Sequence, residues 1–372
     1  MSQKIAPNHS LSVDFDHPEE SAKTAADFAA KRPIDGVVAV DERSTVAAAH
    51  IAKRLKLPGN EPAAARAATD KSQMRALLKD AGVPSADYRI VSADDDPRNV
   101  SAGVLFPCVL KPTRLSASRG VIRANDVREF SAAFQRLSDL LNRPDVSEKS
   151  DGDRRIIVEE YLPGIEIAVD GLLEDGALRP LAVFDKPDPL EGPYFEETIY
   201  VTPSRLSDAD QASAIECAGA AAKAMGLRQG PVHAELRINE KGPFLIELAA
   251  RSIGGLCSRI VSFGNETTLE ELILRNALGT RISPFLPSAE PAGVMMLPIP
   301  HTGEFKALKG IADAVAVDGV LDCVLSVFPG KRIEALPEGG EYLGFLFARG
   351  KNPKDVETSL RRAHSKLRVL YK

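Results

Sequence analysis

The chain has 372 residues, 44% of them hydrophobic and 27% charged, with a net charge of −5. That length exceeds one simple core, so two or three domains are expected, and the interspersed charges exclude the one-sided basic footprint of a nucleic-acid binder. No segment reaches the ~18 apolar residues of a membrane span, the opening MSQKIAPNHSLSVDFD lacks an apolar signal core, and Cys108, Cys217, Cys257 and Cys323 show no CxxC or zinc spacing, so a cytoplasmic protein with reduced thiols and no membrane partner is expected.

In chain order, Leu11–Phe15 reads as a strand, Glu19–Ala30 as a helix and Gly36–Val40 (GVVAV) as a short buried strand. Ser44–Leu57 follows as a helix stopped by Pro58-Gly59. Strand and helix alternate here, which predicts a small parallel α/β unit. Ala63–Ala81 has helical periodicity with a break before Asp70, a residue type that caps a helix beginning at Lys71. From Tyr88 to Phe184 the texture turns to strands: YRIVS, LFPCVLKP, GVIRA, RIIVEEYL, IEIAVDGLL and LAVFD. They are interrupted by a helix, Asp126–Asn142, and by a polar stretch, Arg143–Asp153, expected to be mobile. Ser207–Met225 is an alanine-rich helix, Leu269–Ala277 another, Pro284–Pro291 a linker and Pro353–Val369 a closing amphipathic helix. The class is α+β with at least three units.

Between the two middle helices lies VHAELRINEKGPFLIELAAR, Val232–Arg251, two apolar runs around a polar break, the pattern of a β-hairpin. Leu236, Ile238, Phe244, Ile246 and Leu248 share one strand parity; His233, Glu235, Arg237, Glu247 and Arg251 share the other. A turn centred on Lys241 sets Glu235 opposite Glu247, and like charges opposite one another destabilise a strand pair. A divalent cation, or Arg237 or Arg251, would compensate. Alone, the face suits a solvated one with a neutralising arginine better than a metal site. A Mg²⁺ ion takes one or two carboxylates together with substrate phosphates, so the metal reading demands a nucleotide apparatus elsewhere.

Neither GxxxxGK[ST] nor GxGxxG occurs. A different small-residue loop does, VLKPTRLSASRGVIRA, in which Ser116, Ser118 and Gly120 offer donors and a pliable backbone while Lys111 and Arg119 add charge. Such a loop can fold over a polyphosphate, or be an ordinary hairpin loop. Lys71 in a first helical turn opposes the helix dipole by about 0.3–1 kcal/mol, tolerable where it reaches an anion. In RRIIVEEYLPGIEIAVDG, a strand ending at Glu159-Glu160-Tyr161-Leu162 breaks at Pro163-Gly164 and resumes with Glu166. A free backbone edge there can pair with adenine, and the carboxylate beyond it can accept ribose hydroxyls.

Taken in this order, Asp70-Lys71, LKP with its loop and Arg119-Gly120, EEYLPGIE, and Glu…Glu-x-x-x-Arg on a hairpin resemble the ATP-grasp superfamily. Within it the sequence looks most like the carboxylate–amine ligases of the amino-acid (dipeptide) ligase type. The resemblance implies an ATP-grasp fold: a short N-terminal α/β (pre-ATP-grasp) domain over 1–98, an ATP-grasp domain over 99–283 with a mobile lid at 99–163, and a C-terminal α+β domain over 284–372. It implies that Lys71 and Lys111 contact ATP phosphates under a lid of Ser116, Ser118, Arg119 and Gly120. Glu159, with the backbones of Glu160 and Leu162, would hold adenine, and Glu166 the ribose. Glu235 and Glu247 would bind Mg²⁺, with Mn²⁺ as the alternative ion. Arg251 would steady the transferred phosphate or the oxyanion, with His233 close to the reacting carboxylate. Many relatives have Asn two residues after the second metal glutamate; this chain has Ala249, one oxygen ligand fewer.

The implied activity is an ADP-forming ligase that joins a carboxylate to an amine through an acyl phosphate, acting on small molecules of amino-acid type, with a homodimer left open. Lys186, Phe195, Glu196 and Glu197 of the loop Asp185–Leu206, with Ser252, Gly254 and Gly255 after Arg251, are the substrate-pocket candidates. The competing readings are a carboxylating, biotin-carboxylase-like enzyme, against which SIGGL after Arg251 argues, and a non-catalytic ATP-binding module.

Overall fold

The computed structural model describes residues 10–147, 153–263, 267–280 and 290–372. The N-terminal part is helical, with helices Pro18–Ala29, Thr45–Leu55, Pro62–Ala67 and Lys71–Asp80. Neither N-terminal strand forms. Leu11–Phe15 and Gly36–Val40 belong to no ladder among the described residues. GVVAV packs on its neighbours instead: Val38 joins the core beside helix Leu269–Ala277, while Val40 stands 84% exposed. Without a partner strand, an apolar run gains nothing from extended pairing.

Fifteen strands follow among the described residues. A four-stranded sheet contains β1 (Tyr88–Ser92), β2 (Cys108–Pro112), β3 (Ile122–Ala124) and β4 (Arg155–Glu160), in the order β1-β4-β2-β3. The helix Val127–Leu141 lies on it, capped by Asp126, whose side chain accepts from the Glu129 N–H, and buries Phe130, Phe134, Leu137 and Leu141. Of the polar stretch after it, Pro144–Ser147 is a short helix, and residues 148–152 lie outside the described residues.

The second sheet has eight strands. It comprises β5 (Ile165–Glu174), β6 (Ala177–Lys186), β7 (Ile199–Thr202), β8 (Gly230–Asn239), β9 (Gly242–Ala249), β10 (Ala292–Leu297), β12 (Val320–Leu325) and β14 (Gly344–Arg349), in the order β12-β14-β10-β7-β6-β5-β8-β9. It therefore runs without a break across position 284, and most of Pro284–Pro291 lies outside the described residues. A three-stranded sheet of β11 (Gly303–Lys309), β13 (Arg332–Ile333) and β15 (Arg368–Tyr371) completes the C-terminal region. The closing helix is shorter than its sequence pattern, Pro353–His364, because Arg368–Tyr371 pairs with β11. The helix Asp208–Ala224 lays Ala214, Ala218, Ala221 and Ala222 on Val232, Ala234, Leu236, Leu245 and Leu248. Its small residues let it lie close to the sheet.

The β8–β9 hairpin departs from simple alternation. Asn239 pairs with Gly242 around the two-residue turn Glu240-Lys241, and Leu236 pairs with Leu245, yet Glu235 pairs with Glu247. Ile246 is the extra residue of a β-bulge. Between turn and bulge the faces exchange, Leu245 into the core and Phe244 and Ile246 out of it, while Leu236, Ile238 and Leu248 keep the parity read from the sequence. It also sets the two glutamates face to face. Arg75 Nη2 takes the carbonyl of Ile246 at 2.7 Å, so the bulge leaves no stranded acceptor there.

Candidate active site

A cleft opens between the two larger sheets. From the four-stranded side come Val109, Lys111, Leu115, Ser116, Ala117 and Ser118, and the end of β4, Glu159 to Leu162. From the eight-stranded side come Glu166, Tyr200, His233, Glu235, Arg237, Ile246 and Glu247, followed by Arg251, Gly254 and Gly255. Phe195 and Glu197 of the long loop reach the same space. The resemblance thus singled out residues more than 180 positions apart that the fold brings to one place.

Lys71 arrives as the first residue of its helix, behind an Asp70 cap that accepts from the Ser72 and Gln73 N–H groups. Its backbone N–H meets the Thr113 carbonyl at 2.9 Å, and its Nζ meets the Leu115 carbonyl at 2.7 Å and Glu247 Oε1 at 3.1 Å. Burial works against the ammonium, but Glu247 and Glu42 outweigh it and hold the pKa above its ordinary value. The anion that a first-turn lysine needs is present in the protein itself.

The like-charged pair on the hairpin is neutralised from outside it. Glu235 has Lys186 Nζ at 3.4 Å and His233 Nε2 at 3.4 Å, and Glu247 has Lys71. Despite burial, Lys186 and His233 keep the Glu235 carboxyl well below its usual range. Arg237, a compensator in the sequence reading, is turned away to Glu166 at 3.0 Å. His233 Nδ1 lies 3.7 Å from Asp170 Oδ1, beyond a hydrogen bond. Its imidazole pKa is raised, since Asp170 and Glu235 overcome the burial.

Several candidates stand differently from their expected posts. Glu159 offers adenine no free carboxylate, because Arg75 Nε and Lys111 Nζ take its two oxygens at 2.8 and 2.7 Å in full burial. Despite burial those two cations depress its pKa. Glu160 and Leu162 do line the cleft. Arg119 points out of the cleft, its Nε on the Glu338 carbonyl at 2.7 Å and its Nη2 on Asp145 at 2.8 Å. Gly120, at φ +74°, gives its N–H to the Pro337 carbonyl at 2.8 Å. The outer edge of the loop is thereby tied to the C-terminal region, and only its inner residues face the site. Lys186 is 2% exposed, with its Nζ on Glu166 at 2.7 Å, Glu197 at 2.6 Å and Glu235, so no donor is left over for a substrate. Glu196 faces a smaller neighbouring cavity beside Ala117, Glu334 and Tyr342. Ser252 contributes its carbonyl to Arg251 Nη1 at 3.0 Å and does not line the cleft.

Three residues escaped the sequence reading. Glu42, before the second helix, lines the cleft half-buried, and its Oε2 has no hydrogen-bond partner; Arg251 Nη2 is 3.7 Å away. Burial and the nearby Glu247 raise its pKa. A lone acidic residue at a helix start carries no signal of this kind. Arg75, fully buried, could have been suspected only as an arginine on the apolar side of its helix. Tyr200 lies under Lys186, whose Nζ is 5.1 Å from the ring centre. Glu197, deep beside Glu235, is pushed up to about 7 by burial and by that neighbour.

The donor set suits a hard cation. Glu235 and Glu247 face one another on the ladder and line the cleft together with Glu42, whose Oε2 has no hydrogen-bond partner and Arg251 at 3.7 Å. Among the described residues, the carboxylates whose ligand atoms lie within 4.8 Å of one another are Glu166, Glu197 and Glu235, and Lys186 Nζ is shared among them.

Family models match an ATP-grasp N-terminal domain at residues 4–59, an ATP-grasp domain at 104–260 and an L-amino acid ligase C-terminal domain 2 at 295–372. Alanine–anticapsin ligase of Bacillus subtilis is 32% identical over 259 residues, which is 65% of this chain and 53% of that protein. Carnosine synthase 1 of Gallus gallus is 31% identical over 313 residues, 78% of this chain and 32% of that protein. The chain thus spans about half the length, or less, of these curated relatives. The crystal structure of an L-amino acid ligase from Bacillus licheniformis superposes with a TM-score of 0.83 at 25% identity, covering 95% of this chain and 85% of that one. No described helix is long and apolar enough to cross a membrane.

Proposed function

Since this chain belongs to the ATP-grasp superfamily and ends in a domain of the L-amino acid ligase type, we propose that it is an ADP-forming ligase joining the carboxylate of one amino acid to the amine of a second. The observation that carries the reading is the convergence of Lys71, Glu235, Glu247 and Arg251 in one cleft between two sheets.

A free carboxylate is a poor acyl donor because its departing oxygen is too basic. Its oxygen attacks the γ-phosphorus of ATP, the bond to the β-bridging oxygen breaks, ADP leaves and an acyl phosphate remains. Lys71 supplies positive charge at the phosphates, and Arg251 the charge at the transferring group. Lys111, tied to Glu159, lines the same wall. Glu235 and Glu247 would hold Mg²⁺, which when bound neutralises phosphate charge. The amine of the second substrate then attacks the acyl carbon and phosphate departs. Arg251, the residue that ends the hairpin run, would meet the oxyanion, and Glu42 would accept from the incoming amine; both line the cleft. The loop Ser116–Ser118 keeps water from the acyl phosphate.

The test is release of ADP and phosphate from ATP and Mg²⁺ over a matrix of paired amino acids, with products read by mass. Stimulation that requires both a carboxylate and an amine, with a dehydrated product, is the expected result. ATP binding with no stimulation across the matrix would favour a binding module.

A further inference from the structure

Glu166 sits on β5 with a cation in register on either side, Lys186 on β6 and Arg237 on β8. The three form a row across the sheet. Lys186 Nζ takes Glu166 Oε1 at 2.7 Å and Arg237 Nε takes Oε2 at 3.0 Å. Each carboxylate oxygen keeps a lone pair, and the residue faces the cleft. Lys186 is a flexible ammonium shared among three carboxylates. Arg237 is a planar fork with further fixed ends. Its Nη1 donates to the Leu162 carbonyl at 3.0 Å and to Tyr161 Oη at 3.1 Å, and its Nη2 donates to the Leu190 carbonyl. Tyr161 is held from two sides, with Arg123 Cζ 4.0 Å and Arg237 Cζ 5.3 Å from its ring centre. Arg237 itself is 3% exposed.

One side chain therefore binds the carboxylate beyond the Pro163-Gly164 break to the backbone before it. Gly164 is what lets these parts approach: at φ +126°, a Cβ there would lie 2.3 Å from the Ile238 carbonyl. We infer that Arg237 is the positioning residue for nucleoside recognition, fixing the Glu166 carboxylate relative to the Leu162 backbone and so setting the preference for a ribose over a deoxyribose. This rests on the proposed function and on the ribose contact that the ATP-grasp resemblance implies for Glu166. Arg237 has donated to four protein acceptors and acts through Glu166. A lysine could reproduce its charge but not its fork.

The experiment measures binding of ATP, 2′-deoxy-ATP, 3′-deoxy-ATP and inorganic tripolyphosphate to the full chain by calorimetry, in wild type, Glu166→Ala, Arg237→Met and Arg237→Lys. A hydroxyl donated to a carboxylate corresponds to a preference of about tenfold or more. Wild type should show that preference for ATP over at least one deoxy analogue, and Glu166→Ala should lose it. Arg237→Met should also lose it, to within about threefold, while tripolyphosphate binds as in wild type; a general loosening of the fold would weaken both. Arg237→Lys should fall to roughly a third of the wild-type preference, and it decides the matter if Arg237→Met does not fold. An unchanged preference in the folded Arg237 variant, with Glu166→Ala losing it, overturns the inference and leaves the nucleotide reading standing. A wild type that binds no nucleotide, or ignores the ribose hydroxyls, overturns both.

Discussion

The two ends of the cleft differ in how completely the protein satisfies its own charges. At the end that we propose takes the nucleoside, Glu159 lies between Arg75 and Lys111, and Glu166 between Lys186 and Arg237, at 2.7 to 3.0 Å. At the transfer end, Glu42 Oε2 and His233 Nδ1 have no hydrogen-bond partner, Arg251 is 3.7 Å from Glu42, and Glu247 has Lys71 at 3.1 Å. Removing a charge from water without a partner costs several kcal/mol. A chain can carry such groups where a ligand or cation completes them, so one end is prebuilt and the other is built for completion.

Breaking the transfer end should cost activity more than stability. Glu247→Gln should abolish ADP release in a chain that still folds, because its side chain lies on the face away from the hairpin's core, with a melt lowered only as far as buried Lys71 loses one of its carboxylates. Full activity in that variant would remove Glu247 from the metal site. The nucleoside end should behave in the opposite way. Glu159→Ala leaves Arg75 and Lys111 buried without their carboxylate, so urea unfolding should show a loss of about 3–5 kcal/mol; a melt within error of wild type would deny that this end is prebuilt.

Glu42 sharpens the contrast through pH. Its folded pKa is raised above 4.5, so its contribution to stability is full below that value and fades as pH rises through the folded value. Glu42→Gln should therefore melt higher than wild type at pH 8 and alike near pH 4, while activity falls about tenfold. Equal melting at both values would mean that the carboxylate is not strained.

The smallest effect belongs to the outer edge of the Ser116–Gly120 loop. Arg119 holds Asp145 and the Glu338 carbonyl, Arg136 pairs with Glu338, and Arg143 pairs with Glu334 at 2.9 Å. Such partly exposed pairs are weakened by salt. Raising salt from ~50 to ~500 mM should increase the KM for ATP about twofold in wild type and not in Arg136→Ala/Arg143→Ala. Arg119 and Arg143 hold Asp145 down at about 2, so its part of the contact is present above pH 3.8 and fails only toward that low value. The salt effect should therefore be the same at pH 5.5 and pH 8.

Much of the scaffold was legible locally. The cap at Asp70, the helices read as starting at Asp126 and Ser207, the six-strand run from Tyr88 and the helix Leu269–Ala277 follow from short-range chemistry and periodicity. The N-terminal strands and the parity of the hairpin between its turn and its bulge did not. A strand exists only with a neighbour, and one bulged residue exchanges the faces of all that follow it.

By itself, the sequence determined which side chains have the chemistry: a first-turn lysine, a small-residue loop, two glutamates on one hairpin and an arginine after them. Tertiary structure alone decided how each is spent. Lys186 and Lys71, rather than Arg237, neutralise the hairpin pair; Arg237 crosses to Glu166; Arg119 leaves the cleft; and Glu42 enters it from the N-terminal helices. The reason is physical. A charge acts on whatever lies within a few ångströms, and for these residues that neighbourhood is assembled from strands and helices far apart in the chain.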